Sequence, residues 1–555
     1  MKTHTAISNG YLSRDFPQVL PRRGQHDVNG ARVSLRARVA GRMLMAARLG
    51  ITALLALLAA PVLADPLPPQ VSGVAIPAGQ IDKAVASLDG IAKEILEKSG
   101  IPGLAIAVVH GGRTVYAKGF GVRKVGEPAL VDPDTVFQVA SLSKSLAGSV
   151  VAHQVGAGVI AWDTPVVAHL PWFALQDPWV TQHVTIADLF SHRSGLPEHA
   201  GDNLEDLGFN RRAVLERLRL IPLSSFRDTY AYTNFGLTAA AESVAVASGK
   251  SWEDLAEESL YEPLGMASTS SRFADFEKRT DRAFGHVKVG NDYQPKYQRQ
   301  PDAQSPAGGA SSSVNDLARW MAMILQNGEF GGKRIIPEAA LLPAITAEMI
   351  SSPSYAVDAR PGFYGYGFGV GITPTGRTLI SHSGAFGLGA GTYYGLLPSA
   401  DVGIVVLTNA SPTGAAESIG AAFMDLVQFG TVTQDWFALF GPRLSANMAP
   451  AGDLVGKPQP EHPAAAASLS RYTGAYANPY FGDATIKEVG DHLELSIGPV
   501  GKSYPLSHWD GDTFSIRPSS ENESDGSVSS VTFGPAGQMK IGYLDQNGFG
   551  AFVRR

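Results

Sequence analysis

The sequence contains no cysteine, which excludes disulfide bonds, thiolate metal ligands, a cysteine nucleophile and a lipid anchor on cysteine. Its 13 histidines are scattered and show no ligand spacing such as His-Glu-x-x-His, so we expect no metal and no other cofactor. Charged residues make up 17% and hydrophobic residues 44% of the 555 residues, a balance typical of globular proteins. A chain of this length predicts two or three domains.

Positive charge is scarce after the first 48 residues. Residues 1–48 contain nine Lys and Arg side chains and two acidic ones, whereas the rest has 36 basic and 49 acidic side chains. The remaining chain therefore has a formal charge of −13. Such an acidic body argues against a nucleic-acid partner.

The apolar run at 49–60 is too short to span a bilayer comfortably. It follows Arg42 and Arg48 and precedes Val62-Leu63-Ala64, a small-residue cleavage pattern. These features predict a leader and signal peptide at 1–64, cleaved after Ala64, and a periplasmic or secreted protein with no stable membrane span. An uncleaved membrane anchor is the alternative.

Two linkers divide the rest of the chain. The Pro- and Gly-rich stretch 65–80 precedes a main domain at 81–430, and the irregular stretch 431–466 precedes a C-terminal domain at 467–555. In the main domain, helical spacing from Ile81 to Leu96 and again at 415–429 encloses a hairpin signal and several strands, which predicts an α+β architecture.

Short segments of strand character at regular intervals predict that the C-terminal domain is a small all-β barrel or sandwich. They are Arg471–Tyr476, Ala484–Val489, His492–Ile497, Thr513–Arg517, Val528–Phe533 and Met539–Leu544. The domain shows no nucleophile-plus-base pattern. A lid, a dimer contact and a ligand module are the roles left open for it.

Ser141 and Lys144 are three residues apart, a spacing that brings side chains together on one face of a helix. We expect Ser141 to open a helix through Leu146 and Val150, where the positive field of the helix start and partial burial lower the pKa of Lys144. A hydroxyl beside such an amine can act as a nucleophile with its base in reach. The alternative is an ordinary helix with Ser141 as a plain N-cap.

Tyr232 and Asn234 are two residues apart in an extended segment, so both side chains are expected to face one cleft. A phenol with a lowered pKa can relay a proton, and an amide can hold a lysine or a substrate carbonyl. The alternative is an aromatic turn that packs on the core. For His192, in a Gly/Pro loop, a structural role is the favoured interpretation.

His382-Ser383-Gly384-Ala385 lies between the predicted strands 377–382 and 391–396. Taken together, Ser141-x-x-Lys144, Tyr232-x-Asn234 and His382-x-Gly384 occur in this order within one α+β stretch. They resemble the serine β-lactamase-like family of class C β-lactamases, DD-peptidases, D-aminopeptidases and some esterases.

The resemblance, which covers roughly residues 80–430, implies an antiparallel sheet flanked by helices, with an all-helical subdomain and a trailing small β domain. It implies that Ser141 is the acylated nucleophile, Lys144 its base and Tyr232 a proton shuttle. Asn234 would orient the lysine and the substrate amide. The N–H groups of Ser141 and Ala385 would form the oxyanion hole.

His382, Gly384 and Ala385 would bind substrate, and one of them departs from the family pattern. β-Lactamases of this family usually have Lys-Thr-Gly where this chain has His382-Ser383-Gly384, and histidine carries little charge at pH 7. We therefore expect amide or peptide hydrolysis first, on small or non-standard linear peptides, among them peptides that contain D-residues. Ester hydrolysis is second and β-lactam hydrolysis third. A penicillin-binding-type sensor with little turnover is the alternative from another class, and the oligomeric state is not readable.

Overall fold

The computed structural model describes residue 72 and residues 74–555. The predicted signal peptide and its cleavage site at Ala64 lie outside the described residues. Within residues 74–555 no helix has the length and apolar character needed to cross a membrane.

An eight-stranded sheet forms the centre of the main domain, and every neighbouring pair of its strands is antiparallel. Its spatial order is β2-β1-β8-β7-β6-β5-β4-β3. The strands are β1 (Gly103–His110), β2 (Arg113–Gly121), β3 (Met349–Ser352), β4 (Gly362–Tyr364), β5 (Gly369–Ile372), β6 (Thr378–Phe386), β7 (Ala390–Leu397) and β8 (Val402–Thr408).

The predicted hairpin at Gly111-Gly112 is confirmed, because both glycines have positive φ and join β1 to β2. The central strand β1 is buried on both faces. Successive side chains of β1 point to opposite faces of the sheet. Ile106 packs on the face covered by the first helices of the domain and by its last one, and Ala107 packs into the larger core on the other face.

Seven longer helices accompany the sheet: α1 (Gln80–Ala86), α2 (Leu88–Ser99), α3 (Ser143–Gly156), α4 (Asn234–Ser248), α5 (Val314–Leu325), α6 (Ala415–Phe429) and α7 (Trp436–Asn447). Helices α2 and α6 share the core on one face, and α5 packs on the other face with α3 and α4 beyond it. Shorter helices fill the subdomain between α3 and α5: Pro178–His183, Ile186–Phe190, Asp202–Asp206, Arg211–Arg217, Trp252–Ala256, Glu262–Leu264, Phe273–Lys278 and Ser305–Gly308. The predicted α+β fold is thus confirmed.

Three local predictions were wrong. The first helix is interrupted at Ser87, and the stretch 431–466 contains α7, whose start is capped by the Asp435 carboxylate. Strand β6 continues through His382 as far as Phe386, because it stays paired with β7 down to Ala390. The predicted connection at His382–Ala385 is therefore part of a rigid strand.

The C-terminal part is a closed eight-stranded barrel, as the β-barrel interpretation predicted. Its strands are β9 (Gly474–Asn478), β10 (Gly482–Val489), β11 (His492–Ile497), β12 (Lys502–Asp510), β13 (Thr513–Ile516), β14 (Ser529–Phe533), β15 (Gln538–Ile541) and β16 (Ala551–Arg554). Sequence patterns missed β12 and β16. Buried side chains such as Tyr476, Leu495 and Phe514 belong to one hydrophobic cluster that includes the main domain's larger core.

Candidate active site

Ser141 lies in a single 3₁₀ turn, Ala140–Leu142, directly before α3. The helix begins at Ser143, so the prediction that Ser141 opens it was wrong by two residues. The reason is Ala140, whose φ of 48° lies in the left-handed region and turns the chain before the helix starts. The turn is held by the Ser143 hydroxyl, which donates to the Ala140 carbonyl at 2.6 Å. Strain of this kind persists where surrounding structure enforces it, often at functional sites.

Lys144 is completely buried on the first turn of α3. Its Nζ lies 3.1 Å from Ser141 Oγ, 2.7 Å from Asn234 Oδ1 and 2.9 Å from the Ala307 carbonyl oxygen. Burial lowers the pKa of Lys144 to about 7, with a smaller opposing contribution from Asp202. A neutral amine has two N–H donors and one lone pair. In the protonated state Lys144 Nζ donates to Ser141 Oγ as well as to Asn234 and Ala307; in the neutral state, with two donors kept on Asn234 and Ala307, the lone pair is left for the serine hydroxyl.

The Tyr232 hydroxyl donates to Ser141 Oγ at 2.9 Å, and its ring lies against the Lys144 ammonium position, 4.6 Å from Nζ to the ring centroid. Burial raises the pKa of Tyr232, so the expected lowering of its pKa was wrong. The phenol is therefore a proton donor in the free site. His192 packs its ring on the Tyr232 ring, and its Nδ1 accepts a hydrogen bond from the Thr233 N–H at 3.2 Å.

Asn234 is the first residue of α4, and its amide connects two neighbours. Its Oδ1 accepts from Lys144, while its Nδ2 donates to Asp202 Oδ2 at 2.9 Å. The same Asp202 Oδ2 also accepts a hydrogen bond from His199 Nδ1 at 2.8 Å. Sequence reasoning missed Asp202 and His199, because the short helix Asp202–Asp206 and the segment before it carry no recognisable motif. Their contacts fix which end of the Asn234 amide faces the lysine.

Gly384 on β6 brings the strand against the backbone of Ser141. A Cβ placed on Gly384 would overlap the Thr392 hydroxyl and would lie 2.6 Å from the Val139 carbonyl oxygen and 3.0 Å from the Ser141 nitrogen. Only glycine fits this approach. The next residue, Ala385, is exposed, and its predicted place in the oxyanion hole stays a prediction.

His382 lies behind this opening, with both ring nitrogens engaged. Its Nε2 pairs with the Tyr364 hydroxyl at 2.8 Å and its Nδ1 with the Ser383 carbonyl oxygen at 2.6 Å. Burial and the nearby Lys144 lower the pKa of His382 to about 3. The ring is therefore neutral, and it offers no positive charge to a substrate carboxylate. Its predicted contact with substrate stays a prediction.

Substituting Gly384 with alanine should lower the acylation rate about 100-fold, since the added methyl group pushes β6 away from the Ser141 turn and displaces the reacting geometry. Gly371 on β5 is a matched control, because a Cβ there would meet its nearest neighbour, the Leu379 carbonyl oxygen, at 4.0 Å. Stopped-flow acylation with a chromogenic ester measures both variants. Equal rates for the two alanine variants would show that the close approach at Gly384 is unimportant.

Among the residues that the structure describes, no group of three or more His, Asp or Glu side chains is placed to hold a metal ion. Four side chains converge at this site: Ser141, Lys144, Tyr232 and Asn234.

Two family models match the chain. The model described as Beta-lactamase matches residues 88–429, and a domain of unknown function, DUF3471, matches residues 458–540. The first covers the sheet, the helical subdomain and all four converging side chains. The second overlaps most of the barrel.

Curated relatives match the same region. Unguisins hydrolase ungD' of Aspergillus campestris is 28% identical over 347 residues, which are 60% of this chain and 63% of that protein. Penicillin-binding protein 4 of Amycolatopsis lactamdurans is 29% identical over 56% of this chain and 81% of its own length. The D-alanyl-D-alanine-carboxypeptidase/endopeptidase AmpH of Escherichia coli is 23% identical over 61% of this chain and 88% of its own. The chain thus spans about six tenths of the unguisins hydrolase.

A solved structure shares the overall fold. The octameric penicillin-binding protein homologue from Pyrococcus abyssi superimposes with a TM-score of 0.55 at 21% identity, over 82% of this chain and 98% of that one.

Proposed function

Because this chain belongs to the beta-lactamase family, we propose that it is a serine hydrolase that cleaves amide or peptide bonds through an acyl-enzyme on Ser141. One observation carries the proposal. The Ser141 hydroxyl oxygen lies within hydrogen-bond distance of both a buried lysine amine and a neutral phenol. This arrangement supplies a nucleophile, its base and a proton donor for the leaving group.

In the acylation step, Ser141 Oγ passes its proton to Lys144 Nζ and attacks the substrate carbonyl carbon. The N–H groups of Ser141 and Ala385 hold the oxyanion, a contribution of about 3–4 kcal/mol for one donor in related acyl-transfer sites. Tyr232 gives its proton to the departing amine nitrogen as the C–N bond breaks, and the Lys144 ammonium beside its ring restores that proton.

Deacylation reverses these roles with water. A water molecule attacks the ester carbonyl carbon of the acyl-enzyme, and its proton passes through Tyr232 and Lys144 to Ser141 Oγ as the ester bond breaks. Asn234 keeps the amine directed at the serine in both steps, because the Asp202 carboxylate holds the opposite end of its amide.

The substrate in this proposal is a small linear peptide, including non-standard peptides with D-residues. Two observations support it. His382 is neutral where β-lactamases carry a cationic lysine, which disfavours penicillin-like carboxylates. Relatives named as a D-alanyl-D-alanine-carboxypeptidase/endopeptidase and as an unguisins hydrolase share the fold region. Export to the periplasm or medium belongs to the proposal and is supported by the apolar run and cleavage pattern before Asp65.

A panel of three substrates tests the proposal: a D-residue peptide anilide, which has no C-terminal carboxylate, a chromogenic ester and a chromogenic cephalosporin. We expect kcat/KM to be highest for the peptide or the activated ester and at least 100-fold lower for the cephalosporin. Stoichiometric labelling of Ser141 without turnover of any substrate would instead favour the sensor. Efficient cephalosporin hydrolysis would contradict the argument from His382.

A further inference from the structure

The loop between β13 and β14 of the barrel, residues 517–528, reaches the edge of the candidate active site. Glu521 in this loop, with 14% of its side chain exposed, lies against the turn that follows β6. Its Oε1 accepts the Gly387 N–H at 2.7 Å and its Oε2 accepts the Leu388 N–H at 3.3 Å. These two residues follow Ala385 and Phe386 directly, so the carboxylate holds the turn next to the expected oxyanion-hole strand.

An arginine of the main domain shares this carboxylate. Arg299 is 8% exposed and lies between Glu205, at 2.6 Å, and Glu521, at 3.8 Å. Its guanidinium packs over the Phe386 ring, and its carbonyl oxygen accepts the Gln138 side-chain amide at 2.9 Å. Gln138 comes three residues before Ser141. The barrel loop is therefore connected to the turn after β6 directly and to the segment before Ser141 through Arg299.

The same loop is anchored beside Glu521 by the short helix Asp202–Asp206. Asp206 accepts from the Ser520 hydroxyl at 2.7 Å and from the Asn522 side chain at 2.8 Å. At its other end the helix supplies Asp202, which holds the Asn234 amide. One turn of helix thus contacts the barrel loop and the lysine network together.

From these contacts we propose that Glu521, supplied by the C-terminal barrel, is a positioning residue of the acyl-transfer site. The inference rests on the proposed function. Removing the carboxylate leaves the Gly387 and Leu388 N–H groups without their acceptor in a partly buried place, and it removes one of the two carboxylates beside Arg299. Donors left unpaired in such a place favour rearrangement. The turn and the end of β6 then relax, which misaligns the Ala385 N–H relative to Ser141. The barrel is a component of the site by this assignment.

The test uses the full-length protein and a fluorophosphonate probe, which reacts with an activated serine and forms a tetrahedral adduct. Labelling of Ser141 in the wild type tests the proposed function. The ratio of the labelling rate constants of variant and wild type tests the role of Glu521. For Glu521→Ala we expect the rate constant at saturating probe to fall at least tenfold, with half-saturation changed less than threefold. Glu521→Gln keeps the shape and one acceptor, so it should fold and fall between alanine and wild type.

Glu523 provides the matched control. It is buried in the same loop, and its Oε2 has no hydrogen-bond partner among the residues that the structure describes. Glu523→Gln removes a similar charge without touching the turn after β6, so its labelling rate should stay within twofold of wild type. Wild-type labelling rates in both Glu521 variants would overturn the inference. Equal slowing in Glu523→Gln would also overturn it, by assigning the effect to general loosening of the loop.

Discussion

Replacing Ser141 with alanine should lower kcat/KM for every hydrolysed substrate by about 10⁴- to 10⁶-fold, the range typical of a lost nucleophile. The substitution removes the oxygen that both Lys144 and Tyr232 contact, so neither remaining group can start acylation. The structural cost should be small, because the substitution only shortens a partly exposed side chain from CH2OH to CH3. Steady-state kinetics and a thermal melt of both proteins measure the effect.

Two controls make the nucleophile assignment decisive. Ser149 lies about two turns further along the chain in α3, and its hydroxyl accepts the Trp320 indole N–H at 3.0 Å. Ser149→Ala should therefore lower stability and leave kcat within a few-fold of wild type. Mass spectrometry of the trapped acyl-enzyme should place the adduct on the peptide that contains Ser141. An adduct on another serine would refute the mechanism.

Replacing Lys144 with alanine should lower the acylation rate by about 10²- to 10⁴-fold, the range of a positioned general base. Lys144→Arg should not restore the rate, because a guanidinium stays protonated and cannot accept the serine proton. Lys278, whose side chain is 77% exposed, serves as the control, and Lys278→Ala should behave as wild type. Burst kinetics with a chromogenic ester separate acylation from deacylation in each variant.

The pH profile tests the same base independently. Since burial lowers the pKa of Lys144 to about 7, the reactive neutral amine is scarce below pH 6 and predominates above pH 8. The acylation rate should therefore rise tenfold per pH unit on the acidic side and level off above an apparent pKa near 7. In Lys144→Ala, the rise of the acylation rate with pH on the acidic side should disappear. A rise that persists unchanged in Lys144→Ala would mean that another group is the base.

Much of the candidate site could be predicted from sequence, because short motifs encode local geometry. Ser141 and Lys144 meet through the pitch of one helical turn, and Tyr232 and Asn234 flank the start of α4. What the sequence could not reveal are partners set by long-range packing. Asp202 reaches Asn234 from a short helix 32 residues away, and Glu521 reaches Gly387 from a loop 134 residues away. No sequence periodicity predicts either contact.

The fold shows the same division. Strand β7, predicted at 391–396, was predicted within one residue at each end, whereas β12 and α7 were missed. Strand β12 contains Pro505 and few apolar residues, because only one of its faces meets the barrel interior. Tertiary pairing with β11 and β13 outweighs its weak local preference.

The helix Asp202–Asp206 has a practical meaning for protein engineering. Asp202 in this helix contacts Asn234 of the candidate active site, and Asp206 contacts Ser520 of the C-terminal barrel. A chimaera that joins the C-terminal barrel of a relative to the main domain of this enzyme must therefore also carry that relative's segment equivalent to 202–206. A graft without it would join two parts whose surfaces were selected for different neighbours.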